Sequence, residues 1–249
     1  MMSLTETTEY DNFDPECYMK THDWSTSEEE EERSIFQFNV DSMHDLFNSG
    51  VIKGHTLLDI GTGPTIRTVV SASAHVHEIY LSDVSQRNRA VMTDWWKGNS
   101  MAEAELTDYV LKRENARHSI ADRQEMIKAK IRGVLPIDVR SGHPLGKRDH
   151  PHQFDVITTC LCFESAAQTT EAYRQVVQNA ASLLKVGGHL VVIGIFDTTH
   201  YEVGDFKFMS VSLSQEEIEQ IYKTCGFRII YITRKATGKS FAMHAVKTT

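Results

Sequence analysis

A glycine-rich turn follows the short apolar run 56–60. Its sequence, Gly-Thr-Gly-Pro-Thr at positions 61–65, is typical of the strand, turn and helix units in which α/β folds bind nucleotide-like ligands. Asp83 ends the next apolar run, about twenty residues further on, where a carboxylate can accept hydrogen bonds from both hydroxyls of a ribose. The turn alone could also be a tight connection without a ligand, but the two features together predict an adenosine site.

The turn also indicates which adenosine compound would bind. Dinucleotide-binding folds use three spaced glycines, which let the backbone and a helix N-terminus approach a pyrophosphate. Here Pro64 follows the second glycine, and a proline has no N–H with which to bind a phosphate. Asp59 would lie near the amino-acid end of the ligand, and a carboxylate tolerates a sulfonium or an ammonium better than a diphosphate. These residues favour S-adenosylmethionine over NAD.

The composition fits a globular enzyme and argues against several other classes. At 249 residues, of which 41% are hydrophobic, the chain can bury one large α/β core, so we expect a single domain over residues 1–249. The net charge of −8 argues against a nucleic-acid partner, which requires clustered lysines and arginines. The longest apolar run, 190–196, is too short for a membrane span, and residues 1–12 lack the features of a secretory signal. We therefore expect a cytoplasmic protein with no membrane partner.

The cysteines and histidines show no spacing typical of metal ligands, so we expect no bound metal. Cys160 and Cys162 alternate along a predicted strand, so both side chains should point to one face of it as reduced thiols. The sequence contains no coiled-coil heptad pattern, which makes a monomer the default expectation.

Apolar periodicity and turn residues predict alternating strands and helices. Phe36, Val40, Met43 and Phe47 recur at helical spacing, and Gly50 closes that helix. The strands and helices that follow alternate as in a doubly wound sheet. The predicted strands are 56–60, 78–82, 134–139, 154–163 and 189–196, and the predicted helices start near Pro64, pass through Trp95 and Trp96, span 173–184, and start at the capping box 214–217.

Two segments depart from this alternation. Residues 97–133 are charged, helix-prone and longer than a simple crossover needs, so we expect an inserted helical segment that covers the pocket. The apolar runs 227–232 and 241–246 flank a turn-rich segment and predict a closing β-hairpin. With an N-terminal arm and helix over residues 1–50, the whole pattern predicts a doubly wound α/β fold with a mostly parallel, seven-stranded sheet. Such a sheet resembles the Rossmann-like fold of class I methyltransferases.

Six segments together resemble the family of nicotinamide, phenylethanolamine and indolethylamine N-methyltransferases. They follow one another in the family's order and spacing over most of the chain. The Asp-Ile-Gly-x-Gly-Pro-Thr motif is fairly specific to that family, whereas the Leu-Leu-Lys-x-Gly-Gly turn is shared by many methyltransferases. The segments are F-D-P-x-x-Y at 13–18, L-D-I-G-T-G-P-T-I at 58–66, S-D-x-x-x-x-N at 82–88, D-V at 138–139, L-L-K-V-G-G-H-L-V at 183–191 and Y-x-V-G at 201–204.

The resemblance implies roles at the cofactor site. Tyr18 would lie on an arm over the methionine end, Asp83 and Asn88 would hold the ribose, and Asp138 with Val139 would contact the adenine. For Tyr18, the residues alone leave a packed aromatic of the arm equally open. The cofactor-binding residues implied in this way are Tyr18, Asp59, Gly61, Thr62, Gly63, Thr65, Asp83, Asn88, Asp138, Val139 and Cys160.

The substrate side is centred on Glu164, which follows the predicted strand through Cys160. Methyl transfer from a sulfonium is an in-line displacement, so the enzyme mainly positions the nucleophile and keeps its nitrogen unprotonated. Glu164 is the acid best placed to anchor an ammonium and accept its proton, although a solvated carboxylate at a strand end fits the residues alone equally well. The resemblance implies that Glu164 and Tyr201 are catalytic, and that Thr198 and Ser210 join them in binding the substrate.

Departures from the family pattern bear on the choice of substrate. The nicotinamide-methylating members carry a second acid where this chain has Gly194, so we expect a small, aromatic amine as the acceptor, with nicotinamide or another pyridine as the alternative. Asp23 replaces a tyrosine of the arm, and the C-terminal hairpin is shorter than usual, which predicts an altered or more open pocket. A third possibility is a protein that binds S-adenosylmethionine and has lost catalysis.

Overall fold

A seven-stranded, mostly parallel sheet forms the centre of the protein in a computed structural model, which describes residues 10, 12–22, 30–99, 103–146, 150–236 and 238–249. The strands of this sheet are β1 (Thr56–Ile60), β2 (Glu78–Asp83), β3 (Ile131–Pro136), β4 (Phe154–Cys160), β5 (Leu184–Ile195), β8 (Phe227–Arg234) and β9 (Ser240–Lys247). Their order in the sheet is β3-β2-β1-β4-β5-β9-β8. The first five in this order are parallel, and β9 runs antiparallel between β5 and β8.

Helices lie on both faces of this sheet, as a parallel sheet requires in order to bury its apolar side chains. They are α1 (Pro15–Thr21), α2 (Glu30–Asn48), α3 (Arg67–Ala72), α4 (Gln86–Trp96), α5 (Ala104–Arg113), α6 (Ile120–Lys130), α7 (Thr170–Ser182) and α8 (Gln215–Thr224). From β1 the chain first adds β2 and β3 on one side of the sheet and then β4 and β5 on the other, so a topological switch point lies between β1 and β4. Ligands of such sheets bind at the carboxyl ends of the strands near this point.

The central strand β1 is buried along its whole length and contributes to both core layers. Leu58 packs in the layer that contains residues of α7 and α8, such as Val177 and Ile221. Leu57 packs in the opposite layer with residues of α2 and α3, such as Phe47 and Val69. This alternation follows from the two-residue period of a strand, and it fixes the ends of β1 and its neighbours between two rigid layers.

Several predicted elements are confirmed. The face of α2 that carries Phe36, Val40, Met43 and Phe47 is buried, and Gly50 follows the helix with φ of 72°. Ser214 and Glu217 form a capping box at the start of α8, each side chain bonding the other residue's backbone N–H. The predicted closing hairpin is present as β8 and β9, although residue 237 of its turn lies outside the described part of the chain.

The bounds of three strands are corrected by the structure. β3 spans Ile131–Pro136 instead of 134–139, so the predicted insertion ends earlier and residues 138–139 follow the strand. β4 stops at Cys160 because Leu161 has φ of 55°, a left-handed conformation that breaks a strand. Cys160 and Cys162 therefore do not share the face of one strand, as the alternation had predicted. β5 starts at Leu184, five residues before the predicted 189.

A second, two-stranded sheet was not predicted. It consists of β6 (His200–Val203) and β7 (Phe206–Met209), which pair in antiparallel fashion around Gly204. Gly204 has φ of 58°, which suits the tight turn between the strands. This hairpin packs against the N-terminal arm through Phe208, which contacts Phe13.

The predicted insertion contains the helices α5 and α6, but none of its described residues, 97–99 and 103–133, lines the cavity at the strand ends, which we had expected it to cover. Leu106, Val110 and Ile127 pack in the core layer of α2 and α3. That residues 1–249 form one domain stays a prediction. In the described part of the chain, no helix is long and apolar enough to cross a membrane. Residues 1–9, 11 and 23–29 of the predicted arm lie outside the described residues.

Candidate active site

A cavity of about 320 Å³ opens at the carboxyl ends of the parallel strands. The strand ends bordering it run from β3 through β2 and β1 to β4, which at roughly 4.8 Å per strand spacing gives a groove roughly 14 Å long. Residues of helix α1 and of strand β6 also line it. The predicted site residues that line this cavity are Tyr18, Gly61, Thr62, Gly63, Thr65, Asp83, Asn88, Asp138, Val139, Cys160, Glu164, Thr198, Tyr201 and Ser210.

The glycine turn after β1 forms part of the cavity wall. Gly61 and Gly63 have φ of 71° and 65°, a conformation that favours glycine. A Cβ at Gly61 would lie 2.4 Å from the Sγ of Cys162, so no side chain fits there. Thr62 N–H donates to the carbonyl of Ser82 at 2.9 Å, which ties the turn to the end of β2. The backbone of the turn is thus held open toward the cavity.

Asp83 is held in one orientation by its neighbours. Its Oδ2 accepts from the N–H of Gly63 at 2.8 Å, and its Oδ1 accepts from the N–H of Ser85 at 2.8 Å and from Nδ2 of Asn88 at 3.3 Å. Burial raises the pKa of Asp83, and these hydrogen bonds partly offset that rise. The buried Oδ1 of Asn88 has no hydrogen-bond partner within the described residues. The pair can therefore accept hydrogen bonds from a ligand that carries hydroxyl groups.

Asp138 lies at the β3 end of the groove and forms a two-point ion pair with Arg140. The Nε of Arg140 lies 2.9 Å from Oδ1 and its Nη2 lies 3.0 Å from Oδ2. Burial opposes ionisation of Asp138, but the hydrogen bonds from Arg140 outweigh it and lower the pKa of this carboxyl. Next to it, the carbonyl of Val139 accepts from Nδ2 of Asn179 at 2.8 Å, which anchors the loop after β3.

Asp59 is a correction to the predicted site, because its side chain does not line the cavity. It is fully buried, and its Oδ1 accepts from the hydroxyl of Thr158 at 2.6 Å. Thr158 is its register partner on β4, so the carboxyl lies within the sheet below the glycine turn. Burial raises the pKa of Asp59. The sequence alone could not show whether the Asp59 side chain faces the cavity or lies within the sheet, since the residue is near the end of β1 in either case.

Glu164 lies at the β4 end of the groove and is 4% exposed. Its Oε1 accepts from the N–H of Ile195 at 3.0 Å, and its backbone carbonyl accepts from the N–H of Val211 at 2.9 Å. These contacts join the loop after β4 to the end of β5. Burial raises the pKa of Glu164 to about 7, against the lowering effect of the hydrogen bonds. The carboxyl can therefore change its charge near neutral pH.

The other predicted substrate-side residues line the same cavity as this carboxyl. Tyr201 on β6 stacks against Phe208 with ring centroids 5.1 Å apart, and burial raises its pKa, which leaves a neutral hydroxyl. The hydroxyl of Thr198 donates to the carbonyl of Phe196 at 3.1 Å. The buried hydroxyl of Ser210 has no partner within the described residues, so it is available to a ligand.

Burial disfavours the thiolate form of the two thiols at the cavity. Burial raises the pKa of Cys160 to about 12 and raises that of Cys162 as well, so both stay protonated at neutral pH. Both still line the cavity even though they do not share one strand. Among the described residues, no group of three or more histidine, cysteine or acidic side chains is arranged to hold a metal ion.

Sequence reasoning missed several residues of the cavity wall, among them Tyr10, Phe13, Arg67, Arg140 and His200. The position of Arg67, two residues after the glycine turn, is the sequence feature that could have identified it as a cavity residue. Tyr10 and Phe13 gave a weaker signal as aromatics in the arm before Tyr18. Asp23, predicted to replace a tyrosine of the arm, lies outside the described residues.

Solved structures share this arrangement of sheet and helices. Magnesium protoporphyrin IX methyltransferase from Synechocystis, with bound SAM, matches with a TM-score of 0.58 over 99% of this chain and all of that one, at 12% identity. The N-methyltransferase NodS from Bradyrhizobium japonicum matches with a TM-score of 0.54 over 86% of this chain and 97% of that one, at 15% identity. The fold is that of the class I, S-adenosylmethionine-dependent methyltransferases.

The sequence comparisons narrow this class to one family. A model of the NNMT/PNMT/TEMT family matches residues 2–246, so the chain belongs to that family. Indolethylamine N-methyltransferase from Oryctolagus cuniculus is 34% identical over 88% of this chain and 83% of its own length. Nicotinamide N-methyltransferase from Homo sapiens is 30% identical over the same shares, and phenylethanolamine N-methyltransferase from Macaca mulatta is 28% identical over 74% and 66%.

The chain is thus an S-adenosylmethionine-dependent N-methyltransferase, as the sequence predicted. The residues of the groove fit this cofactor. The glycine turn, the acids Asp83 and Asp138, and the unpartnered oxygen of Asn88 all lie at the ends of the strands that border the groove.

Proposed function

We propose that this enzyme methylates the nitrogen of a small primary or secondary amine that carries an aromatic group, with Glu164 binding the amine and taking its proton. The observation that carries the proposal is the Glu164 carboxyl, which is buried in the cavity with an elevated pKa. An ammonium is the natural partner of a buried carboxylate, because an unpaired charge in that position is costly. A pKa near neutrality suits a group that must both bind and release a proton.

Bound S-adenosylmethionine supplies a methyl group on a sulfonium, and transfer forms the N–C bond as the S–C bond breaks to leave a neutral thioether. The nitrogen can attack only after it has lost a proton. Glu164 binds the ammonium form of the substrate and accepts that proton, directly or through a water molecule. Glu164 then passes the proton to solvent, so the new positive charge of the methylated amine again lies next to a carboxylate before release.

Aromatic side chains line the cavity near Glu164. Tyr10 donates its hydroxyl to the carbonyl of Ser165 at 2.8 Å, and so lies next to the residue that follows Glu164. Tyr10 and Tyr201 both stack on Phe208, with ring centroids 5.8 Å and 5.1 Å apart. Such walls favour a flat aromatic group and also stabilise a nearby cation. This supports an arylalkylamine over a purely aliphatic amine.

Nicotinamide or another pyridine is the second candidate, because human nicotinamide N-methyltransferase is a relative. The surroundings of Gly194 speak against it. A Cβ at this position would lie 2.5 Å from the ring of Phe241 and 3.4 Å from Oε1 of Glu164. Phe241 therefore fills the space that a second acid would need, and the cavity offers Glu164 without an acidic neighbour at position 194. That arrangement suits one ammonium better than a neutral carboxamide.

The variant Glu164→Gln tests the proposal, since glutamine keeps the shape and can still accept from Ile195 but cannot take a proton. We expect kcat/KM for the amine to fall by about 10²- to 10⁴-fold, the usual range for loss of a general base. The Kd for S-adenosylmethionine, measured by calorimetry, should change by less than about two-fold. The control is Glu171→Gln on the exposed start of α7, whose side chain is 80% exposed. Unchanged turnover in Glu164→Gln would overturn the assigned role.

A protein that has lost catalysis would give a different pattern. It would bind S-adenosylmethionine in the wild-type form and turn over none of the amines or pyridines offered. The Glu164→Gln substitution would then alter neither binding nor the absent turnover. That outcome would remove the proposed acceptor while leaving the cofactor site intact.

A further inference from the structure

Gly194 at the end of β5 leaves a gap beside the carboxyl of Glu164, and a ring from another strand fills it. A Cβ at Gly194 would lie 3.4 Å from Oε1 of Glu164, so this point is in contact distance of the carboxyl. The same point lies 2.5 Å from Cζ and 2.6 Å from Cε1 of Phe241. The tip of the Phe241 ring therefore takes the place of a side chain at position 194, next to Oε1.

The sheet and the core fix the position of this ring. Phe241 is the register partner of Gly194 in the antiparallel pairing of β5 with β9, and it is 1% exposed. Its ring stacks on that of Phe196, with centroids 4.4 Å apart and an angle of 21° between the planes. Turning the ring away from Glu164 would break this stack and leave a void in the core, which is costly.

The carboxyl of Glu164 has no charged partner that could set its proton affinity instead. Within the described part of the chain, only burial and backbone hydrogen bonds shift its pKa, and burial dominates and raises it to about 7. Four titratable side chains interact with it electrostatically, from the end of β4, the loop after β4, α7 and α8. Burial raises the pKa of each, so all four are neutral at pH 7. They are Cys160, Cys162, Tyr173 and Tyr222.

A ring tip in this place excludes water and offers no conventional hydrogen bond. The edge of an aromatic ring carries a slight positive charge, so it can lie against a carboxylate oxygen without repelling it. It also fills the space in which a water molecule could solvate Oε1. We infer that Phe241 is a positioning residue for the proposed reaction, because its ring keeps water from the side of Glu164 that faces β5 and leaves the carboxyl to face the acceptor.

This inference rests on the proposed role of Glu164 and adds a reason for it. A carboxylate that water solvates from behind is stable without a partner, whereas a dry carboxylate favours either a proton or an ammonium. Phe241 thus makes Glu164 a stronger proton acceptor near neutral pH, where the amine must lose its proton. The ring acts through Glu164 and touches neither the cofactor nor the reacting atoms in this account.

The test follows the protonation of Glu164 by carbon-13 NMR titration of the ligand-free protein with labelled glutamate side chains. Comparison with Glu164→Gln identifies the signal. Phe241→Leu removes the ring tip and lets water reach Oε1, so the pKa of Glu164 should fall by about one pH unit. The matched control is Phe154→Leu, which makes the same substitution in the same core layer, at a fully buried position at the start of β4. It should leave the pKa of Glu164 unchanged.

Phe241→Tyr tests the contact without opening a void. It keeps the ring and adds a hydroxyl at Cζ, which can donate to Oε1, so it should also lower the pKa of Glu164. Circular dichroism shows which variants fold, and Phe241→Tyr decides the question if Phe241→Leu does not. Three results would overturn the inference: an unchanged pKa in either folded Phe241 variant, an equal fall in Phe154→Leu, or a wild-type pKa near the ordinary 4.5.

The pH dependence of turnover separates this inference from the proposed function. In the wild type, kcat/KM for the amine should decline below about pH 7, and in Phe241→Leu the decline should begin about one pH unit lower. The NMR titration needs no substrate, so it decides the role of Phe241 even if no amine is methylated. A lowered pKa of Glu164 with an unmoved pH profile would refute Glu164 as the proton acceptor and leave its contact with Phe241 intact.

Discussion

The buried carboxyl of Glu164 should make the protein less stable as the pH rises from about 4.5 to about 7, and Glu164→Gln should remove this loss of stability. The pKa of this group is about 7 in the folded protein against an ordinary 4.5, so the folded state binds its proton more tightly than the unfolded chain does. A group with a raised pKa contributes stability that is fully present below the unfolded value. That stability is lost as pH rises through the folded value.

The size of the effect follows from the difference between the two pKa values. A shift from 4.5 to about 7 corresponds to about 3 kcal/mol of unfolding free energy once the carboxyl is fully ionised. Integration over pH shows that ionisation of Glu164 lowers the free energy of unfolding by about 1 kcal/mol at pH 5, about 2 kcal/mol at pH 6 and about 3 kcal/mol at pH 8. Glutamine does not ionise and can still accept the hydrogen bond from Ile195, so the variant should escape this cost.

The assay is urea unfolding of the ligand-free protein at several pH values, followed by circular dichroism. The free energy of unfolding of Glu164→Gln minus that of the wild type should grow from pH 5 to pH 8 by about 2 kcal/mol. Glu171→Gln, at an exposed position, should show no such growth. Parallel stability curves for Glu164→Gln and the wild type across this range would refute the reasoning, because Glu164 would then titrate as an ordinary exposed acid.

Two further predictions concern the cofactor end and the acceptor end of the cavity. Asp83→Asn should weaken the binding of S-adenosylmethionine by about 10-fold or more in calorimetric titration, because the amide has one acceptor oxygen fewer and Gly63 N–H already uses part of that capacity. Affinity within two-fold of the wild type would contradict the predicted ribose contact. Gly194→Asp should lower stability by about 1–3 kcal/mol through overpacking against Phe241 and should yield no nicotinamide methylation, as measured by urea unfolding and a labelled-methyl assay. A stable Gly194→Asp variant that methylates nicotinamide would show that Phe241 does not exclude an acid from this position.

Features encoded by short stretches of sequence were predictable. The glycine turn at 61–65 and the acid Asp83 stand at the ends of apolar runs, and parallel strands bring such ends to one edge of a sheet. The buried face of α2 follows from its helical period, since Phe36 and Phe47 lie three turns apart on one side. These inferences need only a few neighbouring residues, so a single sequence carries them.

Features that depend on contacts between distant residues were not predictable. The pairing of Arg67 with Glu103 joins the glycine turn to a segment 36 residues away. Phe241 lies over Gly194 because β9 inserts beside β5, a register that no local pattern specifies. The Asp59 carboxyl lies within the sheet because it accepts a hydrogen bond from the hydroxyl of Thr158, which is on another strand.

Strand ends were misplaced for a local reason. Apolar residues continue past Pro136 at Ile137 and Val139, so the sequence pattern could not show that β3 ends at Pro136. The end of β4 is set by the left-handed conformation of Leu161, a residue type that gives no warning of it. Both errors fall where the chain leaves the sheet to form the cavity wall. Local sequence rules are expected to fail at such functional sites.

The measurement that tests the proposed function most directly is a methyl-transfer screen with labelled S-adenosylmethionine. The acceptors are tryptamine, phenylethanolamine, simpler alkylamines, nicotinamide and quinoline, with cofactor binding measured by calorimetry alongside. We predict that an arylalkylamine is methylated and that nicotinamide is not, because one carboxylate in an aromatic cavity faces the acceptor. Nicotinamide as the best acceptor, or cofactor binding without turnover of any acceptor, would contradict this proposal.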